Sequence, residues 1–282
     1  MTGFININKR AGVSSAREVA VIKRLTGQPC GHMGTLDPMA DGVLPVGIGN
    51  ACRLFDYFLT KRKVYIATFK FGVDYDTLDT TGTLLCEGGR LPSREEIQKV
   101  LPSLTGDVMQ VPPAYSAKNV NGRRGYELAR SGVEFELPPK KVSIYDIRLV
   151  KRLSDAEYVF RIECGGGTYV RSLCRDMAKS VGTCAAMSAL TREASGPFVL
   201  SDAVCSETLT KDNIVSRIIP ADSLLPFDNI NVGGDMQKRL LNGMSVPVDV
   251  SDGTYKIYLE DGQFYGLGQS VGCRLKVKTK LC

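Results

Sequence analysis

The stretch EYVFRIECGGGTYVRSLCRDMAKSVG, residues 157–182, reads as a strand, a glycine turn and a helix laid end to end. Residues 157–164 are rich in β-branched and aromatic side chains, which suit a pleated, half-buried surface. Gly165, Gly166 and Gly167 end that run. Thr168 is placed to cap a helix. Behind it Val170, Leu173, Cys174, Met177, Ala178 and Val181 recur at i, i+3, i+4, i+7, i+8 and i+11, one apolar stripe at helical period. A strand that turns directly into an amphipathic helix calls for a sheet with a helix packed on its face.

Outward from there the same alternation recurs. VSIYDIRLV (142–150) is a second strand, joined to the first by a polar turn at Ser154-Asp155. VYIATFKF (64–71) is a third, with Tyr65, Ala67, Phe69 and Phe71 on one face. Ser15 followed by Glu18 has capping-box spacing, and Val19, Ile22 and Leu25 predict a helix over about 15–26 that ends at Gly27. Ser93 and Glu96 form a second such box ahead of Ile97, Val100, Leu101 and Leu104. Past Pro226 the texture changes to short strands with Gly and Asp turns, in GGDMQKRLLNGMSVPV and then DGTYKIYLEDGQFYGLG. The expectation is an α+β domain followed by a small all-β module starting near 230.

Composition bounds the function. The 282 residues are 43% hydrophobic and 23% charged, the proportions of an ordinary globular chain, with no apolar run long enough for a membrane span and no signal-peptide core at MTGFININKR. Nine cysteines are scattered and none forms a CxxC, which argues against a zinc site or a disulfide framework and for a reducing, cytoplasmic setting. The net charge of +6 favours a polyanionic partner. Lys118, Arg123, Arg124 and Arg130 face a single acid, Glu127. In RLKVKTK, Arg274, Lys276, Lys278 and Lys280 alternate with Leu275, Val277 and Thr279, so a strand there carries its cations on one face. That face is either a lysine-protected edge or a phosphate-tracking stripe.

One segment stands apart. GHMGTLDPMADGVLPVGIG (31–49) holds the only histidine, His32, and sets Asp37 between Leu36 and Pro38. Pro38 keeps Asp37 out of the helical region, and a carboxylate in such surroundings needs a cation beside it. Asp41, before a glycine, reads as a turn residue. A zinc-binding HExxH and a GxxxxGK[ST] phosphate loop are both absent. Asp37 as a nucleophile paired with a distant arginine stays open.

These residues also carry a family resemblance. GHMGTLDPMADGVLPV resembles the catalytic motif GHxGTLDPxAxGVLPV of the TruB family of tRNA pseudouridine synthases. KRAGVSSAREV is similar to its N-terminal KPxGxTSxxxV box, KVYIATFKFG to its tyrosine-bearing strand and DTLDTTG to its DTxDxxG box. VPPAYSAKNVNGRRGYELAR, GGGTYVRSLCRDMA and LTRE match three more boxes, in order. The resemblance implies a pseudouridine-synthase fold, a mixed and mainly antiparallel sheet flanked by helices and loops. It implies a catalytic domain over 1–229, an RNA-contacting insertion at 113–141 that is mobile without RNA, and a PUA-like RNA-binding module over 230–282.

The function it implies is isomerisation of uridine to pseudouridine at position 55, in the T loop of elongator tRNAs. No cofactor and no metal take part. By position, Asp37 matches the aspartate that attacks the flipped-out uridine, Tyr65 the tyrosine that stacks on it and Arg171 the arginine that pairs with the aspartate. His32 matches a histidine that holds the RNA loop open, Tyr169 a substrate-contacting tyrosine and Leu190 a leucine packed against the base. Lys118, Arg123, Arg124, Lys276 and Lys278 are expected to contact RNA, in the T arm and the acceptor end. The expected protein is a cytoplasmic monomer, since no helix or strand presents an obvious surplus apolar face, with no obligate protein partner and no membrane association.

Overall fold

The computed structural model describes residues 2–116, 119–120, 123–124, 131, 135 and 137–282, with the backbone alone at 119–120 and 123–124. The strands in chain order are β1 (Gly3–Lys9), β2 (Cys30–His32), β3 (Asp41–Ile48), β4 (Lys63–Phe71), β5 (Val73–Tyr75) and β6 (Leu84–Glu87). They continue as β7 (Gly106–Gln110), β8 (Asn119–Val120), β9 (Arg123–Arg124), β10 (Lys140–Arg152), β11 (Glu157–Cys164), β12 (Ala185–Ser195) and β13 (Phe198–Val199). The main sheet runs β1-β3-β12-β4-β11-β10-β7, with β2 added beside β3 and β13 beside β12. Every pairing in it is antiparallel except β3 with β12, so the sheet is mixed and mainly antiparallel, as expected.

The opening stretch does what its pattern requires. Residues 157–164 form β11 between β4 and β10, and Val170–Ser180 form a helix. All six stripe residues are buried, against Tyr65, Ala67, Phe69 and Phe71 of β4 and Tyr158, Phe160 and Ile162 of β11. Each such aliphatic side chain contributes about 1.5–3 kcal/mol by leaving water. Gly166 is needed at the turn, since a Cβ there would meet the Leu59 carbonyl oxygen at 1.9 Å. Thr168 is not the cap. Its hydroxyl turns back to donate to Gly165 O at 2.9 Å, and Tyr169 occupies the cap position without a side-chain cap bond.

The first helix, Ser15–Thr26, starts one residue earlier in its capping than the spacing suggests. Ser14, with extended backbone, accepts from the Arg17 amide, and Ser15 is buried in contact with Leu36. The Ser93–Glu96 box forms with both of its bonds. The Ser154-Asp155 turn joins β10 to β11.

A second sheet, β14 (Asn229–Asn231), β15 (Val246–Pro247), β16 (Gly253–Tyr258), β17 (Phe264–Val271) and β18 (Arg274–Lys280), runs β14-β16-β17-β18-β15. The stretch Gly234–Leu241, which its glycines and aspartate suggest is a turn between strands, is a short helix. Met236 and Leu240, one turn apart, face the module's core, Asp235 sits in the first turn, and Lys238 and Arg239 in the last. On β18 all four cations are exposed while Leu275 is buried, the alternation read from RLKVKTK.

Of the expected 113–141 insertion, Lys118 and most of 117–136 lie outside the described residues. Arg123 and Arg124 form β9, paired with β8. Among the described residues no helix is long and apolar enough to cross a membrane.

Candidate active site

Asp37 lies in the loop between β2 and β3, and the residues on either side of it are pinned. Leu36 is held through both of its backbone groups by the Ser15 hydroxyl, at 2.9 Å each. The Pro38 carbonyl accepts from the Gly12 amide at 2.8 Å and from Lys9 Nζ at 3.2 Å. Lys9 is fully buried, and burial lowers its pKa although Glu18, Asp41 and Asp37 act the other way. The start of the loop is fastened from below by Arg192, whose guanidinium donates to Gly34 O at 3.0 Å, Thr35 O at 3.4 Å and Val43 O at 2.7 Å. With its backbone fixed at both ends, the loop leaves the Asp37 side chain about one-third exposed.

Gly42 allows that arrangement. Its φ is 97°, and a Cβ would lie 2.4 Å from Arg192 O, where β3 runs parallel to β12. Gly42→Ala is therefore expected to cost about 2–4 kcal/mol through strain and forced separation of the strands. A denaturant-midpoint measurement checks this. Asp41, expected in a turn, is the first residue of β3.

Arg171, the second residue of the Val170–Ser180 helix, reaches Asp37 across 134 positions of sequence. Nη2 donates to Oδ1 at 3.0 Å and Nε lies 2.9 Å from Oδ2, a two-point contact. The rest of the guanidinium is also occupied. Nη1 donates to Thr77 O at 2.9 Å and stands 3.5 Å from Asp79 Oδ2, and Nη2 donates to Tyr115 O at 3.0 Å. Asp79 is held in turn by the hydroxyls of Thr77 and Thr81 and by the Thr81 amide. Asp76 Oδ2 accepts from the Tyr115 hydroxyl at 3.1 Å. Arg171 is thus buried between two carboxylates, Asp79 buried and Asp37 partly exposed.

Tyr65 on β4 is the cross-strand neighbour of Arg192 and lies in the core with Leu190. Burial pushes its hydroxyl up to about 12, with Arg192 opposing, so the phenol stays protonated at neutral pH. Leu190, buried on β12, is paired with Ala67. Tyr169 is half-buried, and burial raises its pKa while Arg171 acts against the rise. His32 ends β2. Burial, and then Arg192, lower its pKa, so its ring is neutral at pH 7. Its Nε2 lies 3.5 Å from the Thr35 hydroxyl.

Asp37 and Arg171 are in direct contact, then; Tyr65 and Leu190 share the core with Leu36, Tyr169 caps the helix that carries Arg171, and His32 lies near Thr35 of the Asp37 loop. Lys276 and Lys278 belong to the separate C-terminal sheet. Reading the sequence missed Asp79 and Arg192. Both lie inside boxes quoted above, DTLDTTG and LTRE, and a charged residue recurring in such a box was the available signal.

A family model described as the N-terminal domain of TruB family pseudouridylate synthases matches residues 23–170, a span that includes Asp37, Tyr65 and Tyr169. The chain belongs to the TruB family. Relatives named tRNA pseudouridine synthase B extend the likeness past that span. The one from Clostridium novyi is 41% identical and covers 100% of both chains. The one from Clostridium kluyveri is 36% identical over 98% of each. The one from Caulobacter vibrioides is 39% identical over 81% of this chain and 73% of its own.

Among solved structures, a Cbf5-Nop10-Gar1 complex contains a chain that matches with a TM-score of 0.73 at 22% identity, over 99% of this chain and 85% of that one. An H/ACA RNP bound to a substrate RNA containing 2'-deoxyuridine matches at 0.71 and 20%, over the same shares. These two likenesses concern the fold, and they take in the C-terminal sheet as well as the main one. The TruB membership rests on the sequence matches.

Proposed function

We propose that this chain isomerises uridine to pseudouridine at position 55 in the T loop of elongator tRNAs, with Asp37 as nucleophile on a flipped-out uridine. The observation that carries the reading is the two-point contact of buried Arg171 with a partly exposed Asp37. A carboxylate held by one buried arginine, with its open side toward solvent, is presented for attack on a substrate. The uridine leaves its stack, its base detaches from the ribose, rotates, and rejoins through C5. The C5 hydrogen is lost as a proton.

Tyr65 and Leu190 offer the aromatic and apolar surface that receives an unstacked base. Tyr169 flanks the base, and neutral His32 at the loop's edge supports the RNA left behind. Asp37, Tyr65 and Arg171 are the catalytic set, in a cytoplasmic monomer acting alone, with no cofactor or metal in the scheme. The insertion, with Lys118, Arg123 and Arg124, grips the T arm, and the C-terminal module from about 230 takes the acceptor end. The test is a T-arm transcript with tritium on C5 of the target uridine. Release of label into solvent is the expected result, and its absence with bound RNA would remove the assignment.

The exposed stripe on β18 gives a separate prediction. Lys276→Ala and Lys278→Ala should each lower the slope of log affinity against log salt by about one unit, for one lost phosphate contact. Titrations of tRNA binding over a range of salt read this directly. An unchanged slope would leave the stripe as edge protection only.

A further inference from the structure

Gln110 is the last residue of β7 and is almost fully buried, 2% exposed. Its side-chain amide does not point to solvent or to the sheet. Oε1 accepts from the Tyr169 backbone N–H at 2.8 Å, and Nε2 donates to the Tyr169 carbonyl at 3.1 Å. One glutamine side chain thus takes both backbone groups of one residue, as a neighbouring strand would. Tyr169 is the cap of the Val170–Ser180 helix, and that helix has no side-chain cap of its own. Without Gln110 the Tyr169 N–H would be an unpaired donor in a half-buried residue, and an unpaired buried donor costs about 1–3 kcal/mol.

The next residue extends the fastening. Val111 O accepts from the Ser172 hydroxyl at 2.8 Å and from Arg175 Nη2 at 3.0 Å, and Arg171 Nη2 reaches Tyr115 O. Residues 110, 111 and 115 are therefore tied to residues 169, 171, 172 and 175. Tyr169 and Arg171 flank Val170, so fixing the Tyr169 peptide sets the direction in which both side chains leave the helix.

We infer that Gln110 is a positioning residue, whose paired hydrogen bonds to the Tyr169 backbone hold Tyr169 and Arg171 in register with Asp37. The inference rests on the pseudouridine synthase reading of the site. A displacement of about 1 Å at a reacting centre is enough to cost up to about a hundredfold in rate.

The experiment measures single-turnover rate and tRNA affinity for the wild type, Gln110→Met and Gln110→Glu from mildly acidic to mildly alkaline pH. Methionine matches the volume and makes neither bond. It should slow turnover about ten- to a hundredfold at every pH, with tRNA affinity kept. Ionised glutamate accepts from the Tyr169 N–H but cannot donate to the carbonyl. Once protonated it is isosteric with glutamine and makes both bonds, and burial raises the pH at which it protonates.

The rate of Gln110→Glu relative to wild type at the same pH should therefore rise as pH falls, while the Gln110→Met ratio stays flat. General destabilisation would not produce that recovery. Wild-type turnover in Gln110→Met, a flat ratio in Gln110→Glu, or a loss carried wholly by tRNA affinity each overturns the role. An inactive wild type would overturn the reading beneath it, a result distinct from active variants beside an active wild type.

Discussion

Asp37→Asn is expected to abolish isomerisation, by a factor on the order of 10⁴ or more, the scale seen when a nucleophile is removed. Binding of tRNA should be retained. The substitution changes one atom in a loop whose shape is set elsewhere. Leu36 stays on Ser15, Pro38 stays on Gly12 and Lys9, and Gly34 and Thr35 stay on Arg192. Arg171 keeps Thr77 O, Tyr115 O and Asp79. The loss is therefore one of chemistry: an amide of the same shape is too poor a nucleophile to attack the uridine. Tritium release from C5-labelled T-arm RNA measures it, alongside a filter-binding titration. Equal release by wild type and variant would take Asp37 out of the mechanism.

How much of this was legible in the sequence depends on the range of the interaction. The stripe from Val170 to Val181 and the alternation in β4, β11 and β18 are local periods, and they survive folding because the core is built on them. Capping is local too, yet it slipped where tertiary contacts competed. Ser15 has the box spacing to Glu18, but Leu36 claims its hydroxyl and leaves the capping to Ser14. The Thr168 hydroxyl instead turns to a local acceptor, Gly165 O three residues back, and Tyr169 takes the cap position. In Gly234–Leu241 the turn-forming residues hid a helix whose two apolar anchors gave only one repeat of the period.

The site was legible in a different way. Burial physics asked for a cation near Asp37 but could not name one 134 residues away, and only the resemblance to the TruB family paired it with Arg171. Asp79 and Arg192 lie inside the matching boxes, but neither argument says what they hold. Their work is to hold a guanidinium and three backbone carbonyls, and nothing in local sequence records which carbonyls face which side chain.

The second large effect separates two jobs of one residue. Arg171→Ala should lower turnover about a thousandfold, the scale of removing a charged group that orients the reacting carboxylate in a water-poor site. It should also destabilise the fold by about 3–5 kcal/mol, because Asp79 stays buried with its cation gone. Adding Asp79→Asn removes that stranded charge. In the double variant stability should largely return while turnover stays low, since nothing then holds Asp37. The double-mutant cycle in stability and in rate should consequently disagree, with strong coupling between positions 171 and 79 in the first and little in the second. Urea midpoints and single-turnover tritium release read the two quantities on the same proteins. Recovery of turnover along with stability would mean that Arg171 acts only as a support for the fold. Normal turnover with weakened tRNA binding would move it from the catalytic pair to the RNA-contacting surface.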